Sequence, residues 1–217
     1  MTEKIVLNAT PEEYLKYFSG MGLAAPAQSS SSAHGETVQA LRMVGDAVRD
    51  LQGVWGFVPK WRTRADEPIY YAAGATIARA WTCSVAFRNW RCIVPASCFT
   101  CQRQVDGVNM RYTITRTGGG LMLLAGIFEP NPPQAVPSAA TVALLTTAPN
   151  RMLSPHGLPL PLLLNQKQVL PWLRGRTNID VVKSFIRPPG EHALTLTVTL
   201  DRAAGAQAPV QGDLQLA

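Results

Sequence analysis

Residues 78–101 read ARAWTCSVAFRNWRCIVPASCFTC, and the reading of the fold starts there. The stretch holds all four cysteines, Trp81 and Trp90, and three arginines, Arg79, Arg88 and Arg91, with Arg103 just beyond. Its apolar run, CIVPA at 92–96, has two β-branched residues and a proline, which predicts a buried strand. Arginines flanking such a strand would stand at a sheet rim. There a guanidinium can hold an anion such as phosphate.

Working outward, composition sets the bounds. The chain has 217 residues, enough for one large domain or two small ones, and its 47% hydrophobic content supplies a sizeable core. Only 16% of residues are charged, yet the net charge is +6, which leans towards a polyanionic partner. The opening, MTEKIVLNATPEEY, lacks an apolar signal-peptide core, and no apolar run reaches membrane-spanning length. A cytoplasmic protein with no membrane contact is expected, its cysteines reduced. Residues 98–101 do match C-x-x-C, so a disulfide or a zinc site is conceivable. No second pair accompanies it, and the three histidines lie far off in sequence. The preferred reading is buried thiols packing as small hydrophobes, with no metal and no cofactor.

Residues 4–8 read as a short strand. Thr10-Pro11-Glu12-Glu13 then starts a helix: threonine caps, proline takes the first helical position, and Glu13 closes a capping box. Tyr14, Leu15 and Phe18 form its expected buried stripe, and Gly20 ends it. Residues 22–35, with four consecutive serines, read as a mobile loop or disordered insertion. From 37 to 57 a helical period competes with a hairpin whose turn is Gly45-Asp46, and two strands are preferred. Strands are expected at 112–115, 121–127, 142–147 and 194–200, with Gly118-Gly119-Gly120 joining the first two as a hairpin. Helices are expected from Asn165 and from Asn178 or Asp180, and a loosely held tail over 203–217. Strands with a few helices and no repeat make the class α+β.

Several segments, taken together and in order, resemble one family, the SRAP domain (SOS-response-associated peptidase, or abasic-site-processing proteins). Residues 1–13 are similar to its opening, M-C-G-R followed by a capped helix. Residues 55–61, WGFVPKW, resemble W-G-L-I-P-x-W. Residues 78–80 resemble part of N-A-R-A-E-T, and Phe87-Arg88 the F-R after it. Residues 91–97, RCIVPAS, resemble R-C-L-I-P-A, which precedes G-F-Y-E-W. AGIFE at 125–129, TTAPN at 146–150 and LPLLL at 160–164 are similar to A-G-L-W-E, T-T-x-A-N and the end of H-x-R-M-P-V-I-L. The resemblance implies a single domain over 1–217, built on curved, barrel-like antiparallel sheets with a few flanking helices. It also implies a protein that handles abasic sites in single-stranded DNA; a monomer is expected. In that family the cysteine after the removed initiator methionine supplies an α-amine and a thiol, which condense with the sugar aldehyde to a thiazolidine.

This chain departs from the family at the reacting positions. The cysteine is Thr2, followed by Glu3 and Lys4 in place of glycine and arginine. The asparagine is Ile77, and the glutamate of N-A-R-A-E-T is Trp81. The glutamate of G-F-Y-E-W is Cys101. The histidine falls on Gly157, with His156 one residue early, and the family arginine on Pro159. Thr2, Cys101 and His156 are therefore the candidate catalytic residues at or beside altered positions. A terminal threonine can form an imine if Met1 is removed, but its hydroxyl closes a ring poorly. A thiol does not replace a carboxylate as a general acid or base. His156, between proline and glycine, reads equally as an exposed loop residue. For DNA binding, the resemblance gives Arg79 a phosphate contact, against a structural ion pair. Trp55 and Trp61 with Lys60 and Arg62 suit base stacking beside cations, against core packing for at least one tryptophan. Arg88, with Arg91 and Arg103, would extend a basic groove.

Three functions follow. The first is a SRAP-fold protein with impaired catalysis that keeps non-covalent binding of single-stranded or abasic DNA. The second is an active abasic-site crosslinker or peptidase-like enzyme with a rearranged site. The third is a phage or mobile-element protein that reuses the fold to bind other proteins.

Overall fold

Residues 92–96 lie in a strand, Arg91–Ala96, whose six residues are all buried. Pro95 sits inside the strand, not at its end. The computed structural model describes residues 4–200 apart from 19, 24–28, 63–66, 135, 137, 152–153, 157–159 and 191–192. In chain order the elements are β1 (Lys4–Leu7), α1 (Pro11–Phe18), β2 (Ser30–Ala33), β3 (Thr37–Val44), β4 (Ala47–Trp55), β5 (Tyr71–Ala73), α2 (Ser84–Asn89), β6 (Arg91–Ala96), β7 (Cys98–Val105), β8 (Val108–Arg116) and β9 (Met122–Glu129). They continue with β10 (Thr141–Thr147), β11 (Leu160–Pro161), β12 (Leu163–Leu164), α3 (Gln166–Leu173), α4 (Ile179–Ser184) and β13 (Leu194–Leu200). The class is α+β.

Two sheets share the strands. One has the order β13-β8-β7-β1-β2, and the other β11-β10-β4-β3-β6-β9-β12. In the second, β10 pairs with both β4 and β9, which closes β4, β3, β6, β9 and β10 into a barrel. Most pairings are antiparallel; β10 runs parallel to β4 and β5.

The barrel wall is covered on both faces, which explains the burial of β6. Ile93 joins an apolar cluster beneath the helices, with Tyr14, Phe18, Phe87, Trp172 and Val182. Cys92, Val94 and Ala96 join a second cluster, with Ile5, Phe99, Tyr112 and Ile114 of the other sheet. Side chains alternate between faces along a strand, so each face of β6 needs its own cover.

Local expectations fare unevenly. Thr10 caps α1, its Oγ1 accepting from Glu13 N at 3.1 Å. Leu15 is exposed, however, so the buried stripe is Tyr14 and Phe18. Residues 37–55 form the two expected strands, paired in register around Gly45 (φ 59°). Within the stretch read as a loop, Ser30–Ala33 is a strand that pairs with β1. Low-complexity composition hid this, because an edge strand one residue from a turn needs little apolar content. The triglycine at 118–120 does not close a hairpin. β8 pairs with β7 and β13 and β9 with β6, so the glycines carry the chain from one sheet to the other. β8 takes its hairpin from the missed Asp106-Gly107 turn (φ 49° and 78°). Asn165 and Asn178 cap α3 and α4. The 203–217 tail lies outside the described residues. No described helix is long and apolar enough to cross a membrane, which says nothing of strands.

Candidate nucleic-acid interface

The connection between β5 and α2 is a chain of tight turns. Arg79 N donates to Thr76 O (2.9 Å) and Cys83 N to Ala80 O (2.9 Å). Ile77 is buried to 1% exposure and anchors this connection in the core. Arg79 and Trp81, two and four residues on, are exposed. A second segment follows β4. Val58 N donates to Thr141 Oγ1 and Lys60 N to the carboxylate of Glu129 (3.2 Å), itself 4% exposed. The same carboxylate accepts from Asn131 N, so one buried group fixes the backbone that presents Lys60 and Trp61.

The two segments meet through tryptophan. The Trp61 and Trp81 rings stack with centroids 4.4 Å apart and planes 29° from parallel. Both stay open to solvent, 49% and 71% exposed. The pair forms an exposed aromatic platform, two large apolar rings left open to solvent. Lys60 adjoins it in the chain and is exposed. Arg62 is half-buried, donating its backbone N–H to Pro59 O and its guanidinium to Glu67 O.

Other expected DNA-binding residues do not join the platform. Trp55 is buried to 1% exposure, its Nε1 donating to Tyr70 O at 3.2 Å, because the alternation along β4 points it into the core. Arg88 is exposed on α2. Arg91 is not a rim cation. It is 2% exposed and its guanidinium donates to the carbonyls of Trp172, Arg174, Phe87 and Arg88 at 2.6–2.8 Å. Burial pulls its pKa down from 12.5 to about 10. Four of its five N–H donors are spent on carbonyls inside the protein, so this guanidinium is turned inward and not towards a phosphate at the surface. Arg103 is exposed near the end of β7.

The catalytic candidates are placed as follows. Thr2 lies outside the described residues, but Lys4 pairs with Thr100, the neighbour of Cys101. Cys101 is 1% exposed within the second apolar cluster, opposite Tyr112. Its side chain is packed among apolar neighbours and closed to solvent. His156 ends a short 3-10 turn, Ser154–His156, and its side chain lies outside the description. None of the four cysteines is in a disulfide; three are buried and Cys98 is half-buried, and burial pushes the Cys83, Cys92 and Cys98 thiols up.

Two residues of this region were not expected from sequence. Trp81 reads as a mere replacement of a family glutamate, and only the fold stacks it on Trp61. His34 lies in the serine-rich stretch. It follows Ala33, which pairs with Lys4, so it stands beside the described start of β1. Its ring stacks on Tyr70 (3.9 Å between centroids) and meets Trp55 edge-on (4.5 Å). Burial lowers its pKa.

The comparisons agree with this architecture. No curated protein matches the chain. Among solved structures, a phage-related protein from Bordetella bronchiseptica has a TM-score of 0.73 at 19% identity, covering 90% of this chain and 93% of that one. A second Bordetella bronchiseptica protein gives 0.73 at 18% identity, over 91% and 99%. A Bacteroides thetaiotaomicron protein gives 0.66 at 19% identity, over 78% and 75%. These likenesses speak to fold alone. The model of the SRAP family, SOS response associated peptidase, matches residues 1–201, and the chain therefore belongs to the SRAP family.

Proposed function

We propose that this SRAP protein serves the DNA-damage response by binding single-stranded DNA non-covalently, with the family's covalent chemistry impaired. The exposed Trp61–Trp81 stack carries the reading. Stacking of a base on an aromatic side chain contributes ~1–3 kcal/mol and tolerates any sequence. Lys60 and Arg79, both exposed, offer the phosphodiester backbone its counter-charges. Impairment is supported by the residues at the reacting positions: a threonine for the terminal cysteine, and a buried Cys101 for a glutamate.

Fluorescence anisotropy with a labelled dT12 strand tests binding. Trp61→Ala and Trp81→Ala should each weaken it about tenfold. The affinity should fall with salt with a log–log slope of about −0.7 for each phosphate neutralised. Unchanged affinity in both variants would remove the platform from the argument, and no binding at low salt would favour a protein-interaction role. Incubation with an abasic strand followed by a denaturing gel tests the chemistry. No adduct is expected; a denaturation-resistant adduct lost in Thr2→Ala would establish an active crosslinker instead.

A further inference from the structure

A cavity of about 1080 Å³ is lined by neither tryptophan of the platform and by no residue of β1. β8 runs from Met110, level with Arg103 of β7, to Arg116, level with Leu194. Arg116 lines the cavity, whereas Lys4 lies two strands across the same sheet, paired with Thr100, which is level with Thr113 of β8. Four cations converge here from four distant segments: Lys16 of α1, Arg116 of β8, Lys167 of α3 and Arg187 after α4. No carboxylate lines the cavity among the described residues. Glu191, the nearest acid in the sequence here, lies outside the description and even counted in full leaves three positive charges.

Lone surface lysines would not make a site, but this one is shaped. The Arg116 guanidinium donates to Tyr17 Oη (2.9 Å) and Leu121 O (3.3 Å), and its carbon lies 5.6 Å from the Tyr17 ring centroid. Gly120, at φ 85°, permits this arrangement: a Cβ there would come within 2.3 Å of Tyr17 Oη. The triglycine that fails to make a hairpin thus lets Tyr17 and Arg116 close against each other. The first residues of β9 and the rings of Tyr17 and Phe185 give the cavity apolar and aromatic walls. The wall at Asn165 is the start of α3, whose dipole adds partial positive charge on the same side.

We infer that this cavity is a nucleotide site, distinct from the tryptophan platform. Its cations take the phosphate, and its apolar and aromatic walls take the base. The volume, just above the roughly 300–1,000 Å³ of small-ligand pockets, has room for one nucleotide. The nucleotide has two sources with the same chemistry, a free nucleoside phosphate or one unit of a bound strand.

Isothermal titration at low salt with thymidine 5′-monophosphate, thymidine and dT12 tests this. The monophosphate should bind, and thymidine should bind at least tenfold more weakly. Lys167→Gln with Arg187→Gln should weaken monophosphate binding about tenfold and leave the fold intact, since both side chains are exposed. If only dT12 responds to that double variant, the source is a strand. If neither ligand responds, or thymidine and its monophosphate bind alike, the inference fails. Trp61→Ala should leave monophosphate binding unchanged, so failure of the platform and failure of the cavity are separable.

Discussion

Arg91 and Arg79 lie twelve residues apart, and burial sends them to opposite uses. Arg91 is sealed under the end of α3, and its guanidinium gives four of its five N–H donors to carbonyls there. Charge-assisted bonds of this kind are each worth roughly 1.5–3 kcal/mol, and removing the cation strands the acceptors. Arg91→Met should therefore lower unfolding stability by about 3 kcal/mol or more in a urea titration, whereas Arg79→Met should change it by under about 0.5 kcal/mol. His34 provides a pH test. Burial lowers its folded pKa below 6.5, so the neutral ring favours the folded state above that value. As pH falls below 6.5 the unfolded chain takes up the proton first, and stability is lost towards the depressed folded pKa. His34→Phe should shrink the drop in urea midpoint between pH 7.5 and 5.5.

At the scale of elements, the molecule depends on close approaches that only glycine allows. β5 runs beside β10 with Gly74 N bonded to Thr146 O (2.9 Å). A Cβ on Gly74 would meet that same carbonyl at 2.7 Å and Ile186 at 2.6 Å. Gly74→Ala must push the strand pair or the end of α4 aside. Overpacking of this kind costs typically 1–3 kcal/mol. A lower thermal midpoint would check it, with Gly45→Ala in the open hairpin turn as the control for backbone strain alone. The effect on function would be local, since Gly74 opens the connection that carries Arg79 and Trp81.

For the whole molecule, the two apolar clusters lie on opposite faces of one barrel wall. β6 contributes to both, and Trp90 packs against both. Neither cluster can lose its cover without exposing the other, so unfolding should be a single transition. Far-ultraviolet and near-ultraviolet circular dichroism should give coincident thermal midpoints. Two separated midpoints would show that the five-stranded sheet melts independently of the barrel.

Local signals alone determined much of this protein. The Thr10 and Asn165 caps, the strand at 92–96 and the 45–46 turn depend on neighbours within a few residues, and the chain order of the family segments makes the SRAP fold legible. Periodicity and turn chemistry act at that range, so the sequence carries them openly. What the tertiary structure alone decided is where each side chain ends up. It buried Trp55 and exposed Trp61, turned Arg91 from a rim cation into a brace, and stacked Trp81 on a residue twenty positions away. It made a strand of serines and used three glycines to change sheets. Burial and long-range pairing are properties of the packed whole. Identical residue types, a tryptophan or an arginine, therefore give no local sign of which face of the barrel will claim them.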